Sequence, residues 1–276
     1  MKNHHRILTG LLAVALALTA AGCSSGTSAE EQFRQINEVN SQLTDSDNSV
    51  TTRTTISAGG ESYDTTTDIR IKVTGANTES MVMAMDYTIG MGDEIQEMAS
   101  YYTDGYMYTS ALGMLYRMPM DLESAMEQLQ GNTNLLEETM DAYQNITLKK
   151  DGGNRVFTYE ANPQKLNDLV NETIQSTAAT TGLSTDDIQM TITEMTGTVT
   201  ADKNDLILSQ TAHMVYTMTL NGEEMTAEIT MEATANNPGE PVVIELPDLS
   251  GAQDMSSGAS PEGGMEPMAE EAPAQE

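Results

Sequence analysis

Methionines 81, 83 and 85 in the stretch ESMVMAMDYTIGM share one parity, and Tyr87, Ile89 and Met91 continue it. Thioethers are soft ligands that suit copper; they are equally flexible apolar filler for a core or a greasy pocket. Same-side residues on a strand lie about 6.6–6.8 Å apart, so three long side chains could converge on one ion. The surroundings argue otherwise, because the preceding strand offers Ile69 and Ile71, which have no ligand atoms. The same habit returns at Met214, Met218, Met225 and Met231. With 21 methionines against two phenylalanines and no tryptophan, Met replaces Leu and Phe generally. No metal and no cofactor is expected, and the row reads either as core or as the lining of a ligand cavity.

Other chemistry is sparse. Beyond the leader the one histidine is His213, on the opposite parity from Ala212 and Met214, which reads as an outward polar residue. A zinc or acid/base role would need partners the sequence does not advertise. There is no G-x-S-x-G elbow and no glycine loop for phosphate. The acidic neighbours Asp186-Asp187, Glu223-Glu224 and Glu137-Glu138 fall at turns, at helix ends or on opposite sides of a strand. DSDNS at 45–49 and DKND at 202–205 lack the spaced glycine and distal glutamate of a calcium loop and read as turns. Tyr101, Tyr102, Tyr106 and Tyr108 flank an Asp104-Gly105 turn that would pair Tyr101 with Tyr108, a hairpin stabiliser or a pocket rim. No enzyme is expected.

The amino terminus carries Lys2 and Arg6, an apolar run from Ile7 to Leu18 and small residues before the only cysteine, the layout of a secretory signal. TAAGC at 19–23 resembles a bacterial lipobox. The resemblance implies cleavage after Gly22, lipid on Cys23 and attachment to the extracytoplasmic face of the cell membrane. Cys23 would then be spent, leaving no disulfide, and residues 23–31 become a lipidated flexible tether. Residues 250–276, acidic, proline-containing and without periodicity, read as a disordered tail. Losing residues 1–22 takes the formal charge from −30 to −32. That acidity excludes nucleic acid as a partner and says nothing about protein partners.

Between these ends the dominant signal is alternation. In SYDTTTDIRIKVTG, Tyr63, Ile69, Ile71 and Val73 face one way, and Asp64, Asp68, Arg70 and Lys72 the other. Asn221-Gly222 is a strong hairpin signal. Counting outward pairs Met218 with Met225, Tyr216 with Ala227, Met214 with Ile229 and Ala212 with Met231, all apolar. A Gly59-Gly60 turn pairs Ile56 with Tyr63 and Val50 with Ile69. A three-residue loop at Gly75 to Asn77 would set Ile71 against Met81 and Ile69 against Met83. Further strands are expected at 95–103, 106–110, 113–118, 145–150, 154–160 and 187–209, about ten in all.

Helices are few. One follows the tether with Phe33, Ile36, Val39 or Asn40, and Leu43 on its stripe; one is capped by Asp121; one is capped by Asn162 ahead of Pro163. A sheet apolar on one face and helices apolar on one stripe cover each other. The expected class is α+β: a large curved antiparallel sheet with helices over its concave apolar face.

This order, the lipobox and phrases such as YYTDGYMYTSALGMLYRMPMD, RVFTYEANPQKLNDLV and PVVIELPDLS resemble the LolA/LppX group of bacterial lipoproteins. The resemblance implies a domain over 32–249 shaped as an open half-barrel that holds a lipid or other hydrophobic small molecule. Ile69, Ile71, Met81, Met83, Met85 and Tyr87 would line one part of that cavity. Met214, Tyr216, Met218, Met225, Ile229 and Met231 would line another. A solid core with no ligand, serving a structural or interaction role, is the competing expectation.

Overall fold

A computed structural model describes residues 27–92, 94–130, 142–168, 170–171, 188–220 and 223–255. Helix α1 (Ala29–Asn40) is followed by strands β1 (Ser46–Ala58), β2 (Glu61–Thr74), β3 (Val82–Met91), β4 (Glu94–Thr103), β5 (Tyr106–Ala111) and β6 (Met114–Pro119). Helix α2 (Leu122–Gln130) interrupts the meander before β7 (Tyr143–Asp151) and β8 (Asn154–Ala161). A further helical stretch covers 163–168, and β9 (Ile188–Ala201), β10 (Ile207–Leu220), β11 (Glu223–Ala235) and β12 (Gln253–Asp254) complete the chain. All twelve strands form one unclosed sheet in the order β12-β6-β5-β4-β3-β2-β1-β11-β10-β9-β8-β7. The class is α+β, a curved open half-barrel with its helices on the apolar face.

The helices start where short polar side chains satisfy free backbone N–H groups. Ser28 Oγ accepts from Glu31, Asp121 Oδ1 from Ser124 and Asn162 Oδ1 from Gln164. Asn167 goes further: its amide exchanges two hydrogen bonds with the backbone of Ile192, at 2.6 and 3.0 Å, standing in for a strand partner.

Most expected registers hold. Met218 pairs with Met225, Tyr216 with Ala227, Met214 with Ile229 and Ala212 with Met231. Val50 pairs with Ile69 and Ile56 with Tyr63, and Tyr101 pairs with Tyr108. The β2–β3 connection differs. Ile71 lies opposite Met85 rather than Met81, Ile69 opposite Tyr87 rather than Met83, and Val73 opposite Met83. The loop spans 75–81 and is folded on itself, with Thr78 N–H donating to Gly75 and Met81 N–H to Thr78. Its own Ala76 is buried, and Asp45 accepts the Gly75 N–H at 3.1 Å. The slip is four residues, an even number, so every side chain keeps its face.

Two further differences concern strand ends. The stretch 187–209 is two strands parted at 202–206, where Asp202 Oδ1 accepts the N–H groups of Asn204 and Leu206 and turns the chain. The structure also carries the chain into the segment assigned to the acidic tail. Gln253 and Asp254 pair parallel to β6, and Asp254 takes a two-pronged hydrogen bond from Arg117 at 2.8 and 3.0 Å. This short strand covers the β6 edge of the sheet.

Candidate functional site

The apolar face contains two packed regions. Under α2, Val73, Met81, Met83, Tyr102, Met107 and Ala125 form a buried cluster, with Ile71, Met85 and Met126 against it. Under α1, Phe33, Ile36, Tyr143, Phe157, Tyr159, Ile192 and Val199 form another, flanked by Met214 and Tyr216. Both phenylalanines of the chain meet here, with Phe33 ringed by Phe157 at 5.5 Å, Tyr159 at 5.7 Å and Tyr143 at 6.1 Å. A smaller cluster of Val50, Ala212, Met231 and Ala233, with Ile69 against it, lies between them.

Threonines divide the face toward the hairpin tips. Thr52 pairs with Thr67 and with Met231, and Thr54 pairs with Thr65 and with Ile229, so four threonines form a seam across β1 and β2. β-branched hydroxyl residues suit strands but bring polar atoms to an apolar surface. The methionine rows of β3 and of β10–β11 lie on either side of this seam.

Burial changes along each strand. On β3, Met83 is fully buried, Met85, Tyr87 and Ile89 are half-buried, and Met91 is 60 % exposed. On β10 and β11, Met231 is buried, while Met214, Tyr216, Met218, Met225 and Ile229 are half-buried. Tyr63, Met91 and Met98 bring the same face to solvent at the rim of the hairpin tips. Burial raises the phenol pKa of Tyr87 and of Tyr216. Tyr87 donates to the Met85 sulfur at 3.1 Å, which satisfies its hydroxyl inside an apolar setting.

The sequence-predicted positions therefore share one face but not one environment. Met81 and Met83 are sealed in the α2 cluster, and Ile69, Ile71 and Met231 pack against core residues. Cys23 and Gly22 lie outside the described residues. His213 is on the other face, with Nε2 3.0 Å from Glu228 and Nδ1 3.8 Å from Glu194. Among the described residues no group of three or more His, Cys, Asp or Glu side chains is placed to hold a metal ion.

The aromatic cluster under α1 escaped sequence reasoning as a unit. Its one local signal is Gly197, a glycine in mid-strand. A Cβ there would lie 2.3 Å from the Tyr159 ring, so the glycine makes room for the tyrosine to cross the sheet. Burial, together with Tyr143, pushes the Tyr159 hydroxyl well above the usual phenol range.

The fold and its apolar face define a class: a one-sided open half-barrel whose helices cover the inner surface. The chain belongs to a family of unknown function, DUF6612, which matches residues 28–249. Among solved structures it is similar to LprF from Mycobacterium bovis, at 12 % identity and TM-score 0.40 over 79 % of this chain and 96 % of that one. It is also similar to the lipoprotein LppX of Mycobacterium tuberculosis, at 15 % identity and TM-score 0.38 over 79 % and 98 % of the two chains. A DUF1329 family protein from Desulfovibrio piger matches at 12 % identity and TM-score 0.25 over 79 % and 93 %. No curated protein matches the chain.

Proposed function

We propose that this chain is an extracytoplasmic lipoprotein, cleaved after Gly22 and held to the membrane by lipid on Cys23, that binds a hydrophobic ligand between its sheet and helices without catalysing a reaction. The observation that supports ligand binding is the burial gradient on the apolar face. Met83 is 0 % exposed while Tyr87, Met218, Met225 and Ile229, on the same face, stay half-buried. Apolar surface left partly uncovered beside a packed cluster is what a hydrophobic guest would complete. Energetics are adequate, since a 16-carbon chain buried at about 0.8 kcal/mol per methylene offers roughly 12 kcal/mol before the costs of association. Among the described residues no helix is long and apolar enough to cross a membrane, and the anchor in this reading is the lipid on Cys23.

Native mass spectrometry of protein purified from membranes, followed by solvent extraction, tests the ligand. Co-purifying lipid is expected, released by extraction and regained on incubation with acyl lipid. A chain of bare mass that takes up no lipid refutes the carrier reading. The competing reading, a ligand-free interaction module, is favoured by the sealing of Met81 and Met83 in the α2 cluster. It predicts that bare chain.

A further inference from the structure

A cavity lies on the opposite, threonine-rich face of the sheet. It has a volume of about 520 Å³ and spans β7 to β11. A twisted sheet is saddle-shaped, so a sheet that curls around its apolar face can still be concave across the other face. Thr196 and Thr198 on β9, Thr211 and His213 on β10, and Thr230 on β11 line it, with Asn145 and Glu160 on the side of β7 and β8.

Register makes this a lattice. Thr198 lies opposite Thr211, Thr196 opposite His213, and His213 opposite Thr230. Opposed side chains are about 5 Å apart across strands and about 6.7 Å apart along them. The hydroxyls of Thr196, Thr198, Thr211 and Thr230 have no hydrogen-bond partner among the described residues. The flanking groups, in contrast, are held. Asn145 occupies a register shift in β7 at φ 54°, and its amide donates to Glu160 Oε2 at 2.7 Å. A second shift, at Thr193 on β9 opposite Val215 and Tyr216, lies just beyond His213. Such bulges re-aim side chains and concentrate beside binding sites.

We propose that this groove binds a neutral, polyhydroxylated ligand, the glycan class. Its lining is six threonines, Asn145, His213 and the one carboxylate of Glu160, together with Tyr159, Gly197 and Ala212, and it has no lysine or arginine. Threonine hydroxyls both donate and accept, carboxylates accept, and threonine methyls contact C–H faces, which together match a sugar ring. The absence of cations from the lining, in a chain of net charge −30, disfavours anionic ligands. The site is independent of any hydrophobic guest, because it lies on the other side of the sheet.

The test uses the mature chain in detergent, titrated with chitotetraose, cellotetraose and maltotetraose, with spermidine and tripolyphosphate as cationic and anionic probes. Calorimetry and saturation-transfer NMR read binding. At least one tetrasaccharide is expected to bind in the millimolar range or tighter. Thr196→Val with Thr198→Val, which keeps shape and strand preference, should weaken it about tenfold at an unchanged melting temperature. Glu160→Gln, on the far side of the groove, should weaken it as well and serves if the double variant folds poorly. Failure of all three tetrasaccharides, affinity unmoved by either variant, or spermidine displacing the glycan at equal concentration would each overturn the assignment.

Discussion

Asn40 Oδ1 accepts the backbone N–H of Ile207 at 2.8 Å, joining the last turn of α1 to the start of β10 across 167 positions of chain. The same side chain donates to the carbonyls of Ile36 at 2.6 Å and Asp205 at 2.5 Å, and the residue is 2 % exposed. Arg155 pairs with Asp205 beside it, so the turn at 202–206 is held from both sides.

Replacing Asn40 with leucine would keep much of the volume and orphan the Ile207 N–H and the Asp205 carbonyl. The expected loss is about 2–4 kcal/mol, from two buried polar groups left without partners. Urea denaturation followed by circular dichroism measures it. A loss below 1 kcal/mol, the order of one ordinary surface contact, would show that the clamp is not what seats α1.

Gly197→Ala places a methyl against the Tyr159 ring and 2.8 Å from the Thr211 carbonyl. Overpacking of this kind costs about 1–3 kcal/mol. Adding Tyr159→Leu should recover part of that cost, and a double-mutant cycle reads the coupling. Strictly additive losses would mean that the ring does not sense the methyl.

Leu112 is 90 % exposed and held at φ 53° ahead of Gly113. The other non-glycine residues with positive φ among those described are asparagines and aspartates. A branched side chain in the left-handed region costs about 1–2 kcal/mol. Leu112→Asn supplies the residue that such hairpin turns favour. It should raise the unfolding free energy by about 1 kcal/mol, seen as a higher urea midpoint with an unchanged m-value.

Two methionine truncations separate the sealed core from the half-buried part of the apolar face. Met83→Ala should cost about 2–5 kcal/mol, because the residue is fully buried in the α2 cluster. Met218→Ala, at a half-buried position, should cost about 1 kcal/mol or less. If the apolar face carries the proposed hydrophobic ligand, its retention should respond in the opposite order, with Met218→Ala losing more of it per mole of folded protein.

Acid stability should depend on Asp45 and Asp47. Burial alone would raise both carboxyls. For Asp45 the N–H groups of Gly75 and Val242 outweigh it, and for Asp47 the Arg70 guanidinium and the Asn236 amide do, so both stay below the usual value. A depressed folded-state pKa gives stability that is complete above the unfolded value of about 3.9 and lost as pH falls through the folded one. The unfolding free energy should be level from neutrality to about pH 5 and decline below about pH 4. Asp47→Asn should start lower and decline less steeply.

The faces of the sheet were legible from parity, and the hairpin at Met218 and Met225 was legible to the residue because its two-residue turn leaves no freedom of register. The β2–β3 register was not. Alternation permits any even slip, and the choice among slips was made by the packing of Ala76 and by Asp45, thirty residues earlier in the chain. β12 has no apolar pattern and is held by Arg117, a long-range ion pair that composition cannot signal. The outer groove depends on register shifts at Asn145 and near Val215, and a lattice of threonines looks in sequence like any solvated strand.

Helix α1 runs alongside the sheet from Ser28, with Phe33 among the rings of β7 and β8, to its clamp at Asn40. The helix is therefore attached at two separate places along its length, by the Phe33 ring contacts and by the Asn40 side chain, so α1 leaves the sheet only when both have yielded.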